Sequence, residues 1–248
     1  MTSPQTHRAF QGRLPGPLAA AALAVMVMTA GPAAAATLTV SATTDIWLAG
    51  QADGTVATGN FGSDTAPGNS PVLVPVAAGA VLQFAASGST SVDASCFAGP
   101  DGGCYPDESA FGVGPANGIG TYQGPSNALL GVFLGSATPS GMGGPASMDF
   151  TQAVNIGQTS YAPALHQIFF IGDGQTGLAT GAFQQFAAPA GATRLYLAVA
   201  DSYGSSTGNL GSLAVDVSAV PEPGSLALML SGLVAVAALA GQRKKTAP

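Results

Sequence analysis

Positive charge is nearly missing from this chain: 248 residues hold six Lys and Arg against twelve Asp and Glu. Arg8 and Arg13 lie near one end and Arg243, Lys244 and Lys245 near the other, which leaves Arg194 alone between them. With eleven carboxylates from Asp45 to Asp216, the segment Thr37 to Ala219 carries a formal charge of −10. Phosphate backbones are bound by clusters of Lys and Arg, so nucleic acid is excluded as a partner. An acidic surface of this kind favours solubility and attracts divalent cations.

Histidine and cysteine are almost as rare. The segment has one histidine, His166, so a Ser-His-Asp apparatus would have to use it. Gly204-Ser205-Ser206-Thr207-Gly208 matches G-x-S-x-G in letters. That elbow needs a strand-to-helix turn and usually a downstream His, whereas Gly211 to Val217 reads as a strand and His166 lies upstream. A hydrolase would require Ser206 and His166 within hydrogen-bond reach. His166 reads instead as a loop or strand-edge residue. No P-loop, dinucleotide fingerprint, HExxH or EF-hand loop is present, and the expectation is a protein that is not an enzyme. Cys96 and Cys104 lack C-x-x-C spacing and a nearby His. In an oxidising compartment they are expected to close their Gly-rich loop as a disulfide.

What the chain does have begins with its two ends. Arg8 and Arg13, the apolar stretch Leu18 to Met28 and the run Ala33-Ala34-Ala35-Ala36 read as a signal peptide over residues 1 to 36, cleaved after Ala36. Residues 220 to 248 hold Val220-Pro221-Glu222-Pro223, an apolar run from Leu226 to Gly241 and Arg243-Lys244-Lys245. A helix at about 225–241, rising roughly 1.5 Å per residue, approaches but does not quite reach a bilayer core of about 30 Å. Basic residues after the run place it on the cytoplasmic side and the preceding domain outside. Pro221-Glu222-Pro223, the run and the basic cluster resemble the PEP-CTERM sorting tail of Gram-negative exported proteins. The resemblance implies an exosortase-type sorting enzyme that cuts near the Pro-Glu-Pro, a membrane span that is temporary, and a cell-envelope, surface or secreted location.

The middle reads as all-β. Leu38 to Ser41, Pro71 to Val76, Val81 to Ala86, Ala128 to Leu134, Gln167 to Ile171, Phe183 to Ala187, Arg194 to Ala200 and Leu213 to Val217 are short runs rich in Val, Leu and Phe, separated by turn residues. Such a pattern points to a β-sandwich or jelly roll. Residues 37 to 219 suffice for one domain burying roughly 70% of its unfolded surface. The stretches 50 to 70, 87 to 127 and 136 to 163 read as connections longer than usual, either functional or poorly ordered.

Between the last two strands, Asp201-Ser202-Tyr203-Gly204-Ser205-Ser206-Thr207-Gly208-Asn209 is rich in oxygen donors. Ca²⁺ takes about six to eight oxygens from carboxylates, amides and carbonyls. Asp201 would bring a charge and Asn209 an amide oxygen. The same composition also suits an ordinary hairpin loop whose side chains bond their own backbone.

This loop, Ile46-Trp47-Leu48, the stretch Ala77 to Gly88 and Gly99-Pro100-Asp101-Gly102 together resemble the calcium-dependent, galactose-binding bacterial lectins of the PA-I type, over most of residues 45 to 217. The resemblance implies a jelly-roll-like β-sandwich with Ca²⁺ between two loops and sugar hydroxyls completing its coordination. On the family's pattern Asp201 is a carboxylate ligand, Ser205 and Val92 bind through their carbonyls, and Asn209 is the second of two Asn ligands. Gly208 falls on the first and brings no amide oxygen, so water, Ser206 or Thr207 would have to replace it. Tyr105-Pro106-Asp107-Glu108 is similar to the family's His-Pro-Asp-Gln stretch, which implies Tyr105 stacking on a pyranose face and Glu108 accepting from its hydroxyls. The expected function is calcium-dependent binding of an extracellular polysaccharide or galactoside. The alternative is a structural matrix protein with this fold and no sugar binding.

Overall fold

The computed structural model describes residues 36–105, 114–141, 143–221, 231–233 and 236. The chain divides into two units, Met1–Gly31 and Pro32–Pro248, and every described residue belongs to the second. The expected leader up to Ala35, Glu108, and the tail residues Glu222, Pro223, Arg243, Lys244 and Lys245 lie outside the described residues. Among the described residues no helix is long and apolar enough to cross a membrane, and most of the apolar run from Leu226 lies outside them.

The described elements are almost all strands: β1 (Ala36–Ser41), β2 (Val56–Thr58), β3 (Ser63–Thr65), β4 (Val72–Pro75), β5 (Val81–Ser91), β6 (Asp101–Gly103), β7 (Ser126–Leu134), the single helical turn α1 (Ala153–Ile156), β8 (Ser160–Tyr161), β9 (Ile168–Phe170), β10 (Gln175–Gly177), β11 (Thr180–Phe183), β12 (Gln185–Ala187), β13 (Arg194–Val199) and β14 (Leu210–Ala219). One sheet has the order β1-β14-β5-β12-β8, antiparallel except where β8 joins β12. The other has the order β4-β13-β7-β6, with β9 sharing the outer edge of β7. There β9 pairs with Leu130 to Val132, and β6 pairs with Ser126 and Ala128. Two short hairpins, β2–β3 and β10–β11, complete the set. This is the β-sandwich that the strand pattern predicts.

Aromatic rings tie the two sheets together. Phe186 of β12 lies 5.1 Å from Phe84, 5.0 Å from Tyr161 and 5.6 Å from Phe169 of the other sheet, and Phe169 stacks on Phe133 at 5.0 Å. Such contacts add about 0.5–1.5 kcal/mol each beyond the burial of apolar area. Leu82 and Phe84 alternate with less buried neighbours along β5, the signature of a half-buried strand. Every residue of β7 is buried, so both faces of that strand are covered. Trp47 closes one end of the core, its Nε1 donating to Gly120 O at 2.9 Å and its ring meeting Tyr203 edge-on at 5.7 Å. Half-buried Arg194 donates through Nε to Gly135 O (2.8 Å) and through Nη2 to Ala137 O (2.6 Å), with its guanidinium 5.7 Å from the Tyr196 ring centroid.

Three of the expected connections are corrected. β5 runs on through Ser87-Gly88-Ser89-Thr90-Ser91, in register with β14 up to Ser91 opposite Leu210. Ladder bonds come from the backbone, so a Gly/Ser stretch pairs as well as an apolar one when its partner strand continues. Residues 50 to 70 contain the β2–β3 hairpin, and 136 to 163 contain α1 and β8. The run Phe183 to Ala187 breaks at Gln184, whose buried Nε2 donates to Ile156 O (2.6 Å) and Gln158 O (2.8 Å). Cys96 and Cys104 form the expected disulfide.

Gly131 at the centre of β7 has no space for a side chain. A Cβ there would come within 2.5 Å of Phe169 Cζ and 3.0 Å of Ile171 Cδ1. Gly131→Val is expected to overpack this contact and destabilise the fold by about 1–3 kcal/mol, read as a lower urea midpoint at unchanged m-value.

Candidate functional site

One end of the sandwich is shaped by the loop that leaves β13 after Val199 and crosses to β14 in the other sheet. It contains a 3-10 turn at Ser206–Gly208 and runs directly into a strand, so the strand-to-helix geometry of a nucleophile elbow is not met. The loop is held from below by two buried carboxylates. Asp45, which caps the 3-10 turn at Ile46–Leu48, accepts from Trp47 N–H at 2.8 Å and from Gly204 N–H at 3.1 Å. Asp64 on β3 accepts from Ser206 N–H at 2.8 Å and from the Thr207 hydroxyl at 2.7 Å. Burial pushes the Asp45 carboxyl up to about 7, with the Asp64 charge adding to the effect and the two N–H bonds opposing it. Burial also raises Tyr203, again with Asp45 contributing.

Beside this loop opens a cavity of about 650 Å³. Asp201, Ser205 and Gly208 line it from the loop, Val92 and Asp93 from the residues just after β5, Tyr105 from the segment after β6, and Phe61 from the β2–β3 hairpin. The expected residues Val92, Tyr105, Asp201 and Ser205 are therefore brought to one place. Tyr105 is fixed there, because its hydroxyl donates to Asp93 Oδ2 at 2.7 Å and Ser126 N–H donates to its carbonyl at 2.9 Å. That hydroxyl, helped by the Ser95 N–H, holds the exposed Asp93 carboxyl at about 2.

Asn209 is buried next to Asp201. Its Nδ2 donates to Asp201 Oδ2 at 2.8 Å and to Ala42 O at 3.1 Å, and its Oδ1 is buried with no partner. Two more unpartnered buried oxygens, Ser91 Oγ and Asn127 Oδ1, belong to residues of the same end: Ser91 pairs with Leu210, and Asn127 N–H donates to Ala200 O at 2.8 Å. Buried polar atoms are usually satisfied, so this local excess of acceptors is notable. A donor set of one carboxylate, an amide oxygen and carbonyls suits a hard cation such as Ca²⁺ in type. The Asn209 amide presents nitrogen to Asp201 and to Ala42 O, so ligation by its oxygen would require the amide to turn over. Among the described residues no group of three or more His, Cys, Asp or Glu converges, which leaves Asp201 as the carboxylate of the cavity loop.

The residues expected for a hydrolase serve other segments. His166 Nδ1 bonds Gly118 O at 2.7 Å, whereas buried Ser206 is tied to Asp64. Sequence reasoning missed Asp45, Asp64 and Phe61. Only Asp45 carried a local signal, an acidic residue immediately before the apolar Ile46-Trp47-Leu48.

The raised Asp45 carboxyl sets a pH dependence. An unfolded Asp titrates near 3.8, so the preference of the fold for the protonated form is fully present below that value and is lost as pH rises toward about 7. Stability is expected to fall between pH 5 and pH 7 at up to about 1.4 kcal/mol per pH unit. Asp45→Asn should flatten that slope in urea melts at the two pH values; an unchanged slope would refute the assignment.

Comparison with known proteins adds the following. Residues 219–244 match the PEP-CTERM protein-sorting motif. No curated protein is significantly similar in sequence. Among solved structures the chain is similar to "EclA N-terminal domain; PllA-like lectin", with 16% identity, covering 74% of this chain and 95% of that one, at a TM-score of 0.34. That likeness is too loose to transfer any residue. The C-terminal motif marks the chain as an exported, envelope-associated protein handled by an exosortase-type system.

Proposed function

We propose that the protein is a non-enzymatic, calcium-dependent carbohydrate-binding protein of the cell surface or its polysaccharide matrix. The observation that carries this reading is the meeting of three separate segments, at Val92, at Tyr105 and at Asp201 with Ser205, on one cavity beside the unpartnered Asn209 oxygen. In this reading Asp201, Asn209 and the carbonyls of Val92 and Ser205 hold the ion. Bound there, Ca²⁺ would supply a bridge to two vicinal sugar hydroxyls. Tyr105, braced by Asp93, offers an aromatic face to the apolar side of a pyranose. Asp93 stays ionised and accepts from hydroxyls. Glu108 remains part of the proposal as a further acceptor, and a galactoside is the proposed sugar.

One observation favours a second reading. Asn209 Nδ2 already bonds Asp201 and Ala42, so the loop closes without a cation. A structural matrix protein with this fold would need no more. Calorimetric titration of the purified protein with Ca²⁺, and then with methyl β-galactoside in its presence, separates the two. The carbohydrate reading expects heat at both steps, both lost in Asp201→Ala, and a stabilisation of about 2.7 kcal/mol when Ca²⁺ is at 100 times its Kd. No heat and no stabilisation would leave the matrix protein.

The sorting motif generates its own expectation. The exported form should end near Pro221-Glu222-Pro223, and intact mass of the protein recovered from the cell surface reads this directly. A mass that includes Leu226 to Gly241 would mean a permanent anchor.

A further inference from the structure

The β2–β3 hairpin lies in a stretch that reads from sequence as a bare connection, and none of the expected site residues comes from it. Its tip, Gly59-Asn60-Phe61-Gly62, is closed by a bond from Gly59 N–H to Gly62 O at 3.0 Å. The hairpin rests backbone to backbone on the cavity loop: a Cβ at Gly59 would fall 1.5 Å from Tyr203 O, and one at Gly204 would fall 2.5 Å from Ala57 O. Asp64, one residue beyond Ser63, anchors Ser206 and Thr207 from the same hairpin. The tip is thus fixed relative to Asp201 and Ser205 by close backbone packing from β2 and by the Asp64 bonds from β3, so Phe61 is not a side chain on a loose loop. Phe61 is 68% exposed, whereas Phe84, Phe133, Phe150, Phe170 and Phe186 are all at most 1% exposed. It spends that exposure on the wall of the cavity that also holds Tyr105.

We propose that Phe61 is a specificity-determining residue that stacks on a second sugar ring, next to the one engaged at Tyr105 and Asp201, so that the site takes a glycan chain in preference to a monosaccharide. The inference rests on the carbohydrate reading above. Three features point to this occupant. The cavity volume of about 650 Å³ falls within the roughly 300–1,000 Å³ of pockets that bury drug-sized ligands, more than one pyranose needs. Its lining combines apolar surface from Phe61, Val92 and Tyr105 with oxygen acceptors from Asp93 and Asp201, which suits the apolar faces and hydroxyl rims of linked pyranoses. Among the described residues no basic side chain lines it, which disfavours an anionic ligand.

The test uses the full-length protein with saturating Ca²⁺ and two probes, methyl β-galactoside and galactobiose, in titration calorimetry. Wild type is expected to bind galactobiose about tenfold more tightly, the worth of one aromatic contact. Phe61→Ala should bring galactobiose down to the affinity of the monosaccharide while leaving the monosaccharide within about twofold. Phe61→Tyr should keep the preference and reports that the hairpin still folds. Equal affinities in wild type, or an equal loss of both probes in Phe61→Ala with unchanged melting temperature, would overturn the role of Phe61 and leave the carbohydrate reading standing. Wild type binding neither probe would overturn both.

Discussion

Two backbone N–H groups, those of Gly204 and Ser206, govern this end of the protein. The chain leaves the sheets between β13 and β14, and these donors have no strand partner; buried N–H groups must nonetheless be paired. Asp45 and Asp64 accept them. Charged acceptors make strong bonds, but two carboxyls buried close together repel and lose hydration, and Asp45 answers by holding its proton up to about pH 7. The rest of the site follows from this arrangement. Asp64 belongs to β3, so the β2–β3 hairpin must lie on the loop. Asp45 caps the turn that buries Trp47, so the loop is tied to the core through the same residue.

The sandwich was legible in the chain because its central strands bury apolar side chains, as Leu82 and Phe84 do at period two and as β7 does along its whole length. The elements that escaped notice are those that bury little apolar surface. Ser87 to Ser91 and the β2–β3 hairpin contain too little apolar surface to announce a face. Gln184 was hidden for a related reason, since a glutamine inside an apparent strand shows its inward turn only once Ile156 and Gln158 are seen to accept from it.

The residues in and around the cavity divide in the same way. Asp201 and Asn209 stand in a loop whose oxygen content is visible in the letters, and Tyr105 follows the second cysteine of the disulfide. Asp64 sits among Gly, Ser and Thr, where an acid reads as solvated, and nothing local reveals that Ser206 and Thr207 close over it. Side chains that act by holding another segment are invisible until that segment is placed. Phe61 is the opposite case: its residue type is conspicuous, but its meaning depends on the rigid platform beneath it.

Arg194 carries a consequence for life outside the cell. Between Thr37 and Ala219 it is the only residue after which a protease specific for Lys or Arg can cut. Its bond lies within β13, in the middle of a sheet, and its side chain is occupied by Gly135 and Ala137 carbonyls. Cleavage there requires the sandwich to open first, so against such enzymes the lifetime of the exported domain is set by its unfolding rather than by any exposed loop.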